Sequence, residues 1–509
     1  MAESRSLLDI EEGSVDLQGP PAWTYFTSDS LKITVCILTC MVIWNLEPPD
    51  KLIPQSIHIL AVGISVIQGI LLTSYPISMI IGLGLSVLVA SNSLICNGVH
   101  CATMEDSFGI ALSGLSQPVS WMIFTAFHLG KAVEITNLGK RIAYLLLQKM
   151  GGTIIGLGFA IFVAELSLAP FIPSNTARGG GIVLPIVTSI ISTTEASSPG
   201  GAGEKRGRTG KFLIMCASHS NLLVSSVFIT ACAPNPIIVA TAYHVLGLDV
   251  SFFSWTAAAV VPALACFCIL PLLFYRLIKP EYDGSLILET ANSELHALGP
   301  VSRNETKLIM IMSACLFLWM TEDYLGMPST FVPFMALFVL LFVDVLEWSD
   351  VTRNATAWDT LFWLSGMLVL AHQLTESGIT ALMGDTAANM VSRVTDSGIA
   401  GACLLGVFYF MSMCTFSSIT AHAVALAGPF FAAGKAIGCP PMLLFNIIAA
   451  FTSLSACLTT YSSGPVVLYF TRNYFSQHEW FAYGFLVGAV YLLVYYTIGL
   501  VWWTILGIY

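Results

Sequence analysis

The sequence predicts an all-α polytopic membrane protein, with about eleven transmembrane helices and two re-entrant hairpins arranged as an inverted repeat. Three observations predict it. The 509 residues are 56% hydrophobic and only 10% charged, with a mean hydropathy of +0.80, more apolar side chain than a water-facing surface tolerates. Apolar runs of about 17 to 25 residues, the length that crosses a bilayer, recur along the chain. Two further apolar stretches are interrupted midway by similar polar motifs, FIPSNTARGGGIVLP from Phe171 to Pro185 and FSSITAHAVALAGP from Phe416 to Pro429.

In chain order, Met1 to Ser30 is acidic without an apolar core and reads as a solvated tail, not a signal or transit peptide. Crossings are expected near Leu31–Leu46, Ile57–Leu72, Ile77–Leu94, Val119–Ile135, Phe212–Val245 and Phe253–Ile278. After a polar loop, Lys279–Lys307, come Leu308–Trp319, Thr330–Leu346, Thr360–Leu374, Met442–Phe470 and Phe481–Leu506. Ile154–Ile191 and Ile399–Ala433 resist this reading, because the motifs split each into arms of about 13 to 17 residues. At 1.5 Å per residue such an arm is roughly 20 to 25 Å long, short for a crossing, so both segments read as hairpins whose tips lie inside the membrane.

Charge supports that count. With a cytoplasmic N-terminus, 15 of the 20 Lys and Arg fall on the cytoplasmic side: Arg5, Lys32, Lys140, Arg141, Lys149, Lys205, Arg206, Arg208, Lys211, Arg276, Lys279, Arg303, Lys307, Arg353 and Arg472. Lys51, Arg393 and Lys435 fall outside, and Lys131 and Arg178 lie in or near the membrane. Counting either hairpin as one crossing flips every later loop and spoils the asymmetry that the positive-inside rule requires. The net charge of −10 sits mainly in the tail and loops and reads as solvation; nucleic acid is not among the expected partners. The thirteen cysteines show no CxxC or His-rich spacing and are expected to be reduced, buried thiols.

The motifs form an internal repeat. Ser174-Asn175-Thr176-Ala177-Arg178 matches Ser418-Ile419-Thr420-Ala421-His422, and each serine precedes a proline by eleven positions, Pro185 and Pro429. Downstream of each lies a broken span, at TACAPNP (Thr230 to Pro236) and TTYSSGP (Thr459 to Pro465). Each half then holds five crossings and a hairpin after an extra first helix, and an odd number makes the halves inverted. Non-helical backbone at membrane depth must line a wet cavity or be buried in protein. Half-helices starting there present free N–H groups and positive dipole ends, which favour an anion, and Ser and Thr hydroxyls add donors. The competing reading of each serine is a simple helix N-cap. Arg178 reads as a site cation and as the partner of a carboxylate such as Glu165, two roles that are compatible, and His422 is a site group or a packed histidine. His219 reads as a packing residue.

These residues resemble the divalent anion/sodium symporter family, and within it the branch of plastid 2-oxoglutarate/malate translocators and bacterial citrate/succinate antiporters. The resemblance runs from about Ile53 to Leu506 and rests on SQPVSWMIFTAFHLGKAVEITNLGKRIAYLLLQKMGG, AELSLAPFIPSNTARGGGIVLPI, AWDTLFWLSGMLVLA, SSITAHAVAL and GPVVLYF. It implies a homodimer in the lipid bilayer in which an elevator-like transport domain carries small organic dianions past a fixed scaffold. The chain then divides into scaffold helices at 31–150 and 308–378, transport halves at 151–278 and 379–509, and a cytoplasmic linker at 279–307. Carried over, the anion site comprises Ser174, Asn175, Thr176 and Arg178, then Cys232, Pro234 and Asn235. From the second half it takes Ser418, Thr420, His422, Thr460, Ser462 and Pro465.

No cofactor or other metal is implied; sodium, if bound, would use Ser174 and Asn175. The sodium-coupled branch has Asn in the middle of both tips, whereas this chain has Ile419 in the second, which removes a cation ligand. The expectation is sodium-independent exchange of malate, succinate or 2-oxoglutarate. Sodium-coupled di/tricarboxylate or sulfate symport, an anion channel, and a hydrolase using Ser418 and His422 are the alternatives. No GxSG setting supports the hydrolase.

Overall fold

The computed structural model describes residues 22–49, 52–96, 98–196, 204–280 and 284–509. Arg5, Lys51, most of the expected tail, and the side chains of Lys205 and Arg206 lie outside the described residues. The chain is mostly helical. The first half comprises α1 (Ala22–Trp44), α2 (Pro54–Leu72), α3 (Ile77–Ala90), a two-stranded ribbon of β1 (Ile95–Cys96) and β2 (Val99–His100), α4 (Met104–Leu112), α5 (Pro118–Ile135) and α6 (Leu138–Met150). There follow α7 (Ile154–Leu168), α8 (Asn175–Arg178), α9 (Leu184–Ala196), α10 (Glu204–Ser225), α11 (Pro234–Leu246), α12 (Phe252–Ile278) and α13 (Gly284–Leu298). The second half has α14 (Arg303–Met320), α15 (Glu322–Leu325), α16 (Phe331–Phe342), α17 (Trp348–Thr352), α18 (Ala355–Glu376) and α19 (Ile379–Val391). It ends with α20 (Gly398–Ser412), α21 (Ile419–Ala436), α22 (Pro441–Leu454), α23 (Gly464–Phe470), α24 (Gln477–Val494) and α25 (Leu500–Ile505).

Element order recurs. The series α2, α3, α5, α6, hairpin α7–α9, broken helix α10–α11 and α12 is followed by α14, α16, α18, α19, hairpin α20–α21, broken helix α22–α23 and α24–α25. Packing is reciprocal between the halves, with α5 against α16 and α18 against α3.

Among the described residues, five helices are long and apolar enough to cross a membrane: Pro54–Leu72, Phe252–Ile278, Gly398–Thr415, Pro441–Leu458 and Gln477–Ile505. Met104–Ser116 and Pro118–Ile135 qualify only as a pair bent by 44°. Other expected crossings are shorter apolar helices, such as Ile77–Ala90 and Phe331–Phe342, and Phe212–Val245 divides into α10 and α11. Gly398–Thr415, expected as a hairpin arm, is itself of crossing length. Two boundaries differ from the sequence expectation. Helix α1 starts inside the segment read as tail, and the supposed loop 279–307 contains α13.

That linker is tied down. Arg141 of α6 pairs with Glu305 at 2.6 Å and donates to the backbone C=O groups of Leu298, Gly299 and Pro300. Burial works to raise the Glu305 carboxyl, but hydrogen bonds from Arg141 and the Ser302 cap outweigh it and hold it below the usual carboxylate range.

The expectation of thirteen reduced cysteines is corrected. Cys96 and Cys101 form a disulfide, because the β1–β2 turn returns the chain and brings their Cα atoms to 4.9 Å. The other eleven are free.

Candidate functional site

Both interrupted motifs and both helix breaks meet at one cavity of ≈ 270 Å³. Its first wall is built from the α7–α8 tip (Ser174, Asn175, Thr176), the α10–α11 break (Cys232, Pro234), the α20–α21 tip (Ser417, Ser418, Thr420) and the start of α23 (Ser463, Gly464). The rest of the lining includes Phe127 of α5 and Thr356, Asp359, Thr360 and Trp363 of α18.

Local chemistry explains why the tips stop where they do. Ser174 is extended (φ −116°) and its Oγ accepts the Ala177 N–H at 3.1 Å; Ser418 (φ −149°) does the same for Ala421 at 3.4 Å. The two repeat serines are therefore N-caps, and both also line the cavity, so capping does not remove either from it. The first-turn N–H groups of α21, which lack intrahelical acceptors, begin at this wall. Each break is stitched to its own hairpin. Thr230 Oγ1 donates to the Pro170 C=O at 2.7 Å, and the Tyr461 hydroxyl donates to the Cys414 C=O at 2.8 Å.

Close approach is set by glycine. A Cβ on Gly464 would lie 2.7 Å from Thr176 Oγ1, and one on Gly180 would meet Leu468 at 2.5 Å. Gly181 faces open space, so only part of the GGG run serves packing.

Not every expected residue lines the cavity. Arg178 is fully buried behind the tip, where Nε pairs with Glu165 at 2.5 Å. Its Nη1 donates to the C=O groups of Ile172 and Ala231, both at 2.9 Å, and Nη2 to Ser225 Oγ at 3.0 Å. Asn221 of α10 braces the pair, donating to Glu165 Oε1 at 3.1 Å and to the Asn175 C=O at 3.0 Å. The carboxylate-partner reading of Arg178 is the one the structure shows. His422 is likewise buried. Its Nε2 contacts Ser412 Oγ at 2.8 Å and the Tyr409 C=O at 3.2 Å, so the serine it meets is Ser412, while Ser418 Oγ caps α21. Asn235 spends its amide on the C=O groups of Ser225 and Phe228, within the first break. Thr460, Ser462 and Pro465 are buried beside the second break, with the Ser462 hydroxyl bonded to the Ala456 C=O, and Ser463 and Gly464 take the lining positions instead. His219 is buried against Phe274 and Tyr491, a packing role.

The α18 wall was missed by sequence reasoning, although its signal was present. Thr356, Asp359, Thr360 and Trp363 follow the i, i+3, i+4, i+7 spacing of one helix face.

A family model described as the sodium:sulfate symporter transmembrane region matches residues 27–509. The chain is 34% identical over 480 residues to a candidate malate transporter of Bacillus subtilis, covering 94% of this chain and 96% of that protein. It is 32% identical to dicarboxylate transporter 2 of spinach chloroplasts, covering 91% and 79%. It is 29% identical to the citrate/succinate antiporter of Escherichia coli K12, covering 94% and 98%. Among solved structures, the YdaH transporter of Alcanivorax borkumensis superposes with a TM-score of 0.52 at 13% identity, over 89% of this chain and 98% of that one, a likeness of fold alone.

Proposed function

The chain belongs to the sodium:sulfate symporter family, and on that footing we propose that it is a secondary active transporter exchanging C4 and C5 dicarboxylates such as malate, succinate and 2-oxoglutarate without sodium. The observation that carries the reading is the meeting of both hairpin tips and both helix breaks at one cavity. Two tips, each with a capping serine, a threonine and free N–H groups, suit a ligand with a carboxylate at each end. Ile419 gives the second tip no side-chain carbonyl for a cation.

Movement follows from the two walls. The hairpins and breaks form the wall that binds, α5 and α18 the wall that stays. An elevator-like displacement of the first past the second would carry the anion across, in a homodimer of inverted-repeat protomers with the N-terminus on the cytoplasmic side. The broader statement, a multi-pass membrane transporter, rests on the family match and on relatives that are transporters.

Reconstituted protein loaded with malate should take up labelled dicarboxylate in exchange, with saturation and without sodium. Uptake into empty vesicles that requires external sodium would sink the exchange reading and leave sodium-coupled symport in its place.

A further inference from the structure

One Asp, Glu, Lys, Arg or His stands among the described residues that line the cavity, and its sign is the opposite of what an anion site invites. It is Asp359, exposed on the α18 wall one helical turn from both Thr356 and Trp363. The Ser78 hydroxyl, at the start of α3, donates to its carboxylate and approaches its backbone C=O at 3.2 Å, which ties the group to α3 at the edge of the cavity. Nothing basic faces it within the cavity. Arg178 is spent on Glu165 behind the tip, and His422 on Ser412 and Tyr409. An anion in this cavity would therefore meet the attracting dipoles of the tips and one carboxylate of α18.

We propose that Asp359 sets the charge limit of the cavity, admitting dianions and rejecting trianions of the same size; this rests on the dicarboxylate reading above. Hydroxyls and helix N-termini attract every added carboxylate, so by themselves they impose no upper limit on ligand charge. A limit requires a repulsive element, and repulsion from a fixed carboxylate grows with each unit of ligand charge. Across a cavity of this size, with roughly 8 Å between charges and an effective dielectric of about 30, one extra substrate charge is disfavoured roughly tenfold. Neither hairpin motif carries this discrimination. It sits on the scaffold, outside the SNT and SIT tips.

The experiment uses the full chain in malate-loaded proteoliposomes, with competition by citrate and by its monomethyl ester at alkaline pH, where both are fully ionised. The two probes are nearly matched in size and differ by one charge. The wild type should bind the ester about tenfold more tightly than citrate. Asp359→Asn should close that gap to about twofold by strengthening citrate, with a smaller change for malate, whereas Asp359→Glu should keep it. Ser78→Ala, which frees the carboxylate without removing its charge, should keep most of it, and Asp359→Ser, a second uncharged replacement, should close the gap even where Asp359→Asn fails to fold. Intact malate exchange with no gap in the wild type, or a gap unchanged in Asp359→Asn, overturns the assignment of Asp359 alone. Absence of malate exchange by the wild type overturns the functional reading beneath it as well.

Discussion

Replacing Arg178 separates a group that binds the anion from one that positions the tip. In the structure its guanidinium reaches four acceptors on three segments: Glu165 on α7, the C=O of Ile172 in the tip, and Ala231 and Ser225 about the first break. Removing it strands a fully buried carboxylate, which costs about 3–5 kcal/mol. Two backbone carbonyls also lose their donor at about 1–3 kcal/mol each, terms that overlap with the first and do not simply add. Against a total stability of roughly 5–15 kcal/mol, Arg178→Met should lower the unfolding temperature severely. Arg178→Lys keeps the charge but cannot span a planar fork of acceptors, so it should fold with a loss of about 1–3 kcal/mol. The double variant Glu165→Met/Arg178→Met should regain part of the stability lost in Arg178→Met, because no buried charge is left unpaired, while exchange stays impaired by the loosened tip. Thermal unfolding in detergent and exchange assays measure both quantities. A direct anion ligand would lose more affinity for a dianion than for a monoanionic analogue; a positioning group weakens both alike. Arg178→Lys with unchanged unfolding and half-saturation, or a loss in the charge-removing double variant that grows with ligand charge, would refute the clamp.

Three more outcomes are expected. Gly464→Ala places a methyl 2.7 Å from Thr176 Oγ1 and should raise the half-saturation constant for dicarboxylate by about tenfold or more as the first tip is pushed aside, whereas Gly181→Ala, facing open space, should be neutral or stabilise by about 0.5–1 kcal/mol; equal effects in transport and melting assays would contradict this. Alkylation of denatured protein should tag eleven thiols without reductant and thirteen with it, and thirteen tags in both would remove the Cys96–Cys101 bond. Glu305 is held below its ordinary range when folded, so its contribution is full above the unfolded carboxylate value of about 4.3 and is lost as pH falls through the lower folded value. The stability gap between wild type and Glu305→Gln should therefore persist at neutral pH and close in acid; a gap that persists in acid would show a different origin.

What the sequence made legible was whatever the bilayer penalises. A polar tip inside an apolar run is costly unless it lines a cavity, so Ser174–Thr176 and Ser418–Thr420 stood out, and both line it. The second break was located to within a residue or two: Ser463 and Gly464 face the cavity where Thr460, Ser462 and Pro465 were expected, because helix starts are fixed by backbone geometry that spacing alone leaves loose. The partner of Arg178 was readable only as one of two compatible roles. Glu165 lies thirteen residues away on another helix, and tertiary packing makes the choice. Asp359 was passed over for a different reason: its helix-face spacing is in the sequence, but a helix with one polar face is ordinary until its neighbours show which cavity that face borders. The disulfide needed the β1–β2 turn, which CxxxxC spacing in a short loop does not announce.

The division of labour that results has a physical consequence. Full charges of the first half, Arg178 and Glu165, are buried and neutralise each other, so they rigidify the tip without contributing net field at the cavity. In the proposed site attraction comes from neutral dipoles, hydroxyls and N–H groups, whose individual contributions are modest and readily reversed, and the charge of Asp359 only repels. A carrier must release on one side what it binds on the other, and an anion held by neutral donors leaves more easily than one paired with an unshielded arginine. Holding Arg178 in the frame behind the tip therefore suits exchange better than tight capture, and the comparison of dianion with monoanion in Glu165→Met/Arg178→Met, which removes both charges, tests that distinction directly.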